Sequence, residues 1–554
     1  MTLAIHTPVL IVGAGPVGLS LALDLGQRGV NVMLIETGSG LIEHSKIGHI
    51  AVRTMEFFRR WGIAQAVREA GFPTDFRMSR IICTDVARPP LYIDTHPSLG
   101  QMQTPPYACE KKQRCPQHWL QPILLKAVCS EPLIETRFQT ELVGFEQKHD
   151  HLVATIKQGN GISHVQAQYM VACDGAESFV RKNLGIGMTG SDKLSYSIGI
   201  TVKLHGWRDY FKYGEAERFI FLGPEGTWGN LTTVDGGDLW RLTIYGNSEK
   251  VELQNFDAVH WVRRALGTLQ KDTVEFDIVS VLPWKRREQI ATDFHQGRIF
   301  LAGDAAHIMS PTGGMGMNTG IGDAVDLGWK LQALVNGWGG AKLVESYAIE
   351  RRPVAVRNAS SSTENFKTLT SPKNCLHILN ETPEGERVRT QMAADFSKAM
   401  RESYWDPSSI QMGYRYDDSA LCIPDGTPTP ENLTQYIQTA RPGARAPHAW
   451  LNSDQDLQVS EPMEQQRSML DLFGDGFVLL CFEGADQHSI AQITSAAKMR
   501  GVPLNVIPIK RAEIAQLYGA ALVLVRPDGH VAWRAQSLNA ISAQEIIDTV
   551  TGNL

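Results

Sequence analysis

The eight cysteines include no Cys-x-x-Cys pair and no paired Cys/His spacing suited to zinc, which argues against a dithiol redox motif and a zinc module. Reduced thiols in a cytoplasmic protein are the simpler expectation. Long runs of one charge sign are also missing. Charged residues make up 20% of the chain and the formal net charge is -6, so neither a nucleic-acid footprint nor a membrane-attracting basic patch is expected. Unbroken apolar runs are scarce too. The most apolar stretch, from Val9 to Gly26, is interrupted by glycines and Asp24 and has no basic residue before it. It reads as a buried strand and helix, not a membrane span or export signal.

What is present is a chain of 554 residues, too long for one ordinary core. Pro8 to Val12 and Val30 to Ile35 are short apolar segments flanking a helical run, the βαβ order of a nucleotide-binding sheet. Val52 to Trp61 has helical spacing, with Arg53, Glu56, Arg59 and Arg60 on its polar positions. Pro89-Pro90 and Pro105-Pro106 mark a loop-rich insertion. Strand-like patterning runs from Leu142 to Asp174 with a hairpin signal at Asn160-Gly161. From Ser195 to Val281, aromatic-rich strand segments predict a separate sheet. After residue 320, Ile321, Ala324, Val325, Gly328, Leu331 and Val335 recur at helical spacing, with Asp323, Asp326 and Lys330 opposite, so a long helix packed on one side is expected. Helical character continues to about Met400, and a turn-rich linker lies near Pro424 to Pro447. The last segment reads β-α-β-β-β-α and is thioredoxin-like. The fold class is therefore α/β and α+β multidomain. A Rossmann-like nucleotide domain in two parts (1–185 and 286–415) is interrupted by an inserted substrate-binding sheet (186–285) and followed by a thioredoxin-like C-terminal domain (416–554).

Three separated segments carry chemistry. Gly13-Ala14-Gly15-Pro16-Val17-Gly18 follows a strand and opens a helix. In that context Gly13 permits a tight turn, Gly15 admits a pyrophosphate, Gly18 allows close helix packing, the helix N-terminus supplies partial positive charge, and Pro16 is counted with the cofactor-binding residues of this turn. Glu36, ending the second strand, is placed to accept hydrogen bonds from a ribose. The second segment is Cys173-Asp174-Gly175-Ala176-Glu177-Ser178-Phe179-Val180-Arg181. The third runs from Gly303-Asp304 through His307 to Ser310-Pro311-Thr312-Gly313-Gly314-Met315-Gly316-Met317-Asn318.

Together these segments resemble the FAD-dependent class A aromatic hydroxylases, and the resemblance covers nearly the whole chain. Groups acting on 3-(3-hydroxyphenyl)propionate and on substituted phenols are similar. It implies that Asp174 contacts the dinucleotide region and that Ser178 and Arg181 order the loop where the pyridine nucleotide approaches. It implies that Asp304 holds the flavin's sugar-alcohol chain, and that Pro311, Gly314, Gly316, Met317 and Asn318 surround the ring. His307 is expected to order its loop. Lys46, Arg53 and Gln117 match positions beside FAD. The C-terminal likeness is strongest from Leu524 to Arg534. Three positions depart from the family's pattern: Lys46 replaces a common Arg, Met315 a common Gln, and Gln289 an Arg that often precedes the third motif.

The resemblance implies a single-component monooxygenase. FAD is reduced by transient NADH or NADPH, O2 forms a flavin C4a-hydroperoxide, and a phenolic ring is hydroxylated. Deprotonation of the phenol calls for a base, and His49 is the candidate because it lies in the loop before the Arg53 helix. Tyr210, Phe219, Phe221 and Trp240 are candidate pocket residues. A small phenolic substrate and O2 are the expected partners, with no metal, nucleic acid or membrane, and a homodimer is the expected assembly. Two alternatives are a flavin-dependent halogenase, whose Trp-x-Trp-x-Ile-Pro segment is not found, and a non-catalytic flavoprotein that assembles through its C-terminal domain.

Overall fold

The computed structural model describes residues 5–42, 46, 48–247, 249–250, 252–269, 274–370, 375–401, 408–429, 435–451, 467–538 and 541–554. The apolar segment after the N-terminus forms the strand Ile5–Val12, the centre of a largely parallel sheet. It pairs in parallel with Val32–Ile35 on one side and with Gly161–Ala172 on the other, and the latter pairs in parallel with Ile299–Leu301. These strands are buried on both faces, as a sheet covered by helices requires. Register brings Val12, Ile35, Ala172 and Leu301 to one edge. The three motif segments leave the sheet at that carboxyl edge, where ligands of open α/β sheets bind.

The helices Pro16–Gln27 and Met315–Val335 cross closely over this edge. Gly328 makes the approach possible, because a Cβ there would collide with the Asp24 carboxylate. Asp24 is itself buried among Arg28 (2.6 Å), Arg60 (2.6 Å) and the indole N–H of Trp61 (2.8 Å).

The second large sheet is antiparallel at its centre and includes Met188–Leu204, Arg218–Gly223, Gly226–Thr233, Leu239–Asn247 and Phe276–Ala291. It also takes in Arg80–Cys83 and Tyr92–Asp94, from the stretch expected to be loop-rich. Pro89-Pro90 sits in the turn between those two strands, so the prolines mark a reversal rather than an absence of strands. Period-two alternation gives the sheet two faces. One row, Phe219, Leu231, Leu242 and Ile200, is buried in an aromatic core with Trp207, Phe211, Phe221 and Trp240. The opposite row is Arg218, Thr232, Arg241 and Thr201, and the same face carries Ile82, Ile220 and Leu222, which are buried against Leu369, Ile378, Met392 and Phe396.

The C-terminal sheet has the order Leu504–Pro508, Phe477–Cys481, Leu522–Val525, Val531–Ala535, with a parallel first pair and antiparallel others. A helix at Ala512–Tyr518, absent from the sequence reading, makes the order β-α-β-α-β-β-α. Its seven residues span barely two turns, too few for apolar periodicity to stand out. The helical run expected to reach Met400 is two helices, Lys342–Leu369 and Pro383–Arg401.

The expectation of one-sided packing for the helix Met315–Val335 is overturned. Asp323, Asp326 and Lys330 are all buried. Lys330 bonds Asp326 and Glu350 at 2.7 Å each, while Arg526 from the C-terminal domain bonds Glu350 at 2.6 Å and Asp528 at 2.6 Å. Asp326, Glu350 and Asp528 approach closely enough to hold a metal ion, but these two cations already occupy their meeting point. Burial pushes the Asp326 carboxyl well above its usual range.

Candidate active site

The first turn is built by close backbone approach. Gly13 has φ +104°, and a Cβ on it would collide with the Cys173 carbonyl. Gly18 lies against the Gly13 carbonyl in the same way, and Pro16 is the first residue of its helix. A Cβ on Gly15 would meet nothing within 4 Å, so this backbone faces open space at a helix start. Glu36 braces the turn: its carboxylate accepts from the Ala14 N–H (2.8 Å) and the Gly38 N–H (2.7 Å). Gln121 joins the same turn by donating to the Gly40 carbonyl at 2.8 Å. It lies inside the helix Gln117–Ser130, where nothing in the sequence sets it apart from a surface glutamine.

The second loop is held from both sides. Asp174 accepts from the Val180 N–H at 3.1 Å, while its Oδ1 is buried with no donor; burial raises its pKa. Ser178 caps the following helix by accepting from the Arg181 N–H at 3.0 Å. The guanidinium of Arg181 donates to the carbonyls of Ala305 (3.0 Å) and Ala176 (3.1 Å). It therefore ties the second loop to the third and acts as a positioning residue.

The third loop presents Asp304 on the short turn Gly303–Ala305, where it is exposed and hydrogen-bonds nothing among the described residues. Asp323 fixes this turn by accepting from the Gly303 N–H (3.1 Å) and from His307 (2.7 Å), and Arg351 holds Asp323 at 2.8 Å. His307 thus orders its loop. Pro311 is exposed, and its carbonyl accepts from the Gly314 N–H at 3.1 Å. Gly314, at φ +64°, is the left-handed residue before the helix Met315–Val335. Gly316 faces open space, Met317 is half-buried against the sheet core, and Met315 is buried.

Several residues expected at the cofactor serve other contacts. Asn318 accepts from the Ala51 N–H (2.9 Å) and the Thr54 hydroxyl (2.7 Å) and donates to the carbonyls of His49 (2.9 Å) and Gly314 (2.7 Å). Its amide is fully engaged in joining the His49 loop to the glycine loop. Arg53 is buried against Glu56 (3.0 Å), the Phe57 ring and the Asp528 carbonyl (3.2 Å). That correction makes it an interdomain contact. Lys46 is exposed, its carbonyl accepts from the Gln117 N–H at 3.0 Å, and Ile47 lies outside the described residues. Gln117 opens its helix, half-buried.

His49 lies on a two-residue strand paired with Gln113–Arg114, beside Gly314. Burial, with Lys112, Arg114 and Arg80 nearby, pushes its imidazole down to about 3 against the opposing pull of Glu217. A ring held this low is neutral at physiological pH. Glu217 is paired with Arg114 at 3.1 Å. Phe219, Phe221 and Trp240 belong to the core behind the inserted sheet, with Tyr210 packed against it, and so do not line the pocket. Sequence alternation identified two faces but not which one meets the cofactor.

The cradle has features that fit FAD. An open backbone at Gly15, a buried acceptor without a donor at Asp174, an exposed carboxylate at Asp304 and open space over Gly316 supply positions for phosphate, hydroxyl and ring.

Residues 6–362 match the FAD binding domain family, and residues 439–553 match the aromatic-ring hydroxylase C-terminal family. Aklavinone 12-hydroxylase RdmE of Streptomyces purpurascens is 30% identical, covering 97% of each chain. A 2,4-dichlorophenol 6-monooxygenase of Cupriavidus pinatubonensis is 28% identical over 99% of this chain and 96% of its own. The rebeccamycin biosynthetic enzyme RebC with reduced flavin superposes with a TM-score of 0.89 at 37% identity, covering 100% of both chains. With three loops converging on one flavin cradle and family matches at both ends, the chain belongs to the FAD-dependent aromatic-ring hydroxylases.

Proposed function

We propose that this flavin monooxygenase hydroxylates a phenolic ring, using O2 and NADH or NADPH. The observation that carries the reading is the contact of the flavin cradle with the inserted sheet: Arg286 on the strand Phe276–Ala291 bonds Ser310 and Thr312 of the third loop. A buried cation at that contact suits a ring bearing an oxygen substituent better than a plain hydrocarbon. Bound FAD supplies reduction by the nicotinamide nucleotide and activation of oxygen for transfer to the ring.

The chain's own groups do the rest. Glu36 and the Gly13 turn hold the adenosine end, Asp304 the sugar-alcohol chain, and the backbone from Gly314 to Gly316 the ring surroundings. Asn318 and Arg181 keep these loops in register. His49 serves as a neutral hydrogen-bonding imidazole beside Gly314. The buried aromatic core behind the inserted sheet excludes water from that side.

A second reading concerns substrate size. The relatives include enzymes named for aklavinone, and RebC was solved with 7-carboxy-K252c, so a fused polycyclic phenol stands beside a single-ring one. Substrate-stimulated NAD(P)H oxidation, measured with single-ring and polycyclic phenols and followed by product analysis, tests both. Nucleotide oxidation that no phenol accelerates would defeat the reading.

A further inference from the structure

Next to the third loop the inserted sheet carries a cation that no carboxylate among the described residues balances. Arg286 lies on the strand Phe276–Ala291 and is 2% exposed. Its Nη1 donates to Ser310 Oγ at 2.6 Å and Thr312 Oγ1 at 3.2 Å, the hydroxyls on either side of Pro311. Its Nε is buried with no partner, and its Nη2 makes no hydrogen bond among the described residues. Rings complete the surroundings: the guanidinium carbon is 3.8 Å from the Phe366 centroid, 4.8 Å from that of Trp284 and 5.8 Å from that of Tyr245. Other deeply buried arginines meet acids: Arg351 pairs with Asp323, Arg445 with Glu56 and Arg526 with Glu350.

A buried charge without a counter-ion is costly, and ring faces and two hydroxyls offset only part of that cost. Two donor nitrogens remain unused. The phosphate cradle at Gly13 to Gly15 belongs to the other sheet, whereas Arg286 stands on a strand of the inserted sheet and bonds the third loop. We propose that Arg286 binds the ionised oxygen, phenolate or carboxylate, of the aromatic substrate. The inference rests on the aromatic-hydroxylase reading above and deepens it. A guanidinium at the phenolic oxygen favours the electron-rich phenolate directly, and the released proton goes to solvent.

The test titrates the FAD-loaded protein with 4-nitrophenol across pH and reads the phenolate of the bound ligand in the visible difference spectrum. The wild type should hold it ionised below the pH at which the free compound ionises. Arg286→Gln should lose about tenfold or more of the phenolate-over-phenol preference, equal to a shift of one pKa unit or more. Arg286→Lys, which keeps the charge, should retain most of it and guards against a folding defect in the first variant. Benzoate as competitor separates the sources. Displacement from the wild type but not from Arg286→Gln assigns a carboxylate as a second ligand, and no displacement assigns phenolate alone. Failure of the wild type to bind 4-nitrophenol in ionised form, or wild-type preference in a flavin-loaded Arg286→Gln protein, overturns the proposal. Neither result touches hydroxylation itself, which product analysis on the wild type measures separately.

Discussion

Asp304 is exposed and bonded to nothing among the described residues, so replacing it removes a cofactor contact without unmaking the fold. Asp304→Ala should weaken FAD binding by roughly ten- to a hundredfold, the worth of a charge-assisted hydrogen bond, with an unchanged melting temperature for the flavin-free protein. Flavin content after dialysis checks this, and full occupancy would refute the placement of Asp304. Motif residues such as Gly13, Glu36 and Asp304 were legible because their chemistry demands a residue type at a fixed spacing. Arg181, Arg53 and Asn318 were found in sequence, but their loop and domain contacts were not, since a motif reports that a residue is needed and not every group it touches. Arg286 went unnoticed. An arginine in a strand reads as exposed unless its partners are known, and its partners, Ser310 and Thr312, lie in another segment.

Between elements, the joints are polar. Asn318 alone connects the His49 loop, the helix Val52–Arg60 and the glycine loop. Asn318→Ala leaves donors and acceptors of all three unpaired and should cost on the order of 3 kcal/mol, read by urea denaturation, together with reduced flavin retention. The helix Val52–Arg60 turns its charges toward the C-terminal domain: Arg59 bonds Asp471 at 2.8 Å, Glu56 accepts from Arg445 at 3.1 Å, and Arg53 reaches the Asp528 carbonyl. Arg526 closes the same interface against Glu350 and Asp528. Arg526→Ala should destabilise the protein by about 3–5 kcal/mol, because it strands buried carboxylates. A loss below 1 kcal/mol in denaturant midpoints would show that the cluster is solvated. The polar face of the helix Met315–Val335 was read as lying outside the core because periodicity separates polar from apolar positions and cannot separate water from an ionic partner. The segment from Leu524 to Arg534 was recognised in sequence, and its purpose emerges here as docking.

At the scale of the whole molecule, acid sensitivity follows from buried histidines. Burial pushes His49 down to about 3 and His448 and His530 to about 4. Each folded-state pKa lies below the unfolded value, so the unfolded chain takes up protons first. Stability should therefore fall as pH drops from about 6.5 towards 4, by on the order of 3 kcal/mol for a fully buried group such as His530. Asp24 and Asp528, held below the usual carboxylate range against their burial by Arg28 and Arg526 respectively, add a further loss below about pH 4. Melting temperature against pH checks this, and a flat profile from pH 7 to about 4.5 would contradict it. The domain order was readable from the sequence because the three flavin segments bracket the inserted sheet. The short helix Ala512–Tyr518 and the strands Arg80–Cys83 and Tyr92–Asp94 were not, being too short for periodicity to register. All of these features serve a single cradle in which oxygen is delivered to an aromatic ring. Turnover of an accepted phenol under isotopically heavy O2, with mass analysis of the product, reads that delivery directly. One heavy oxygen atom in a new ring hydroxyl is the predicted result, and product oxygen drawn from water would contradict it.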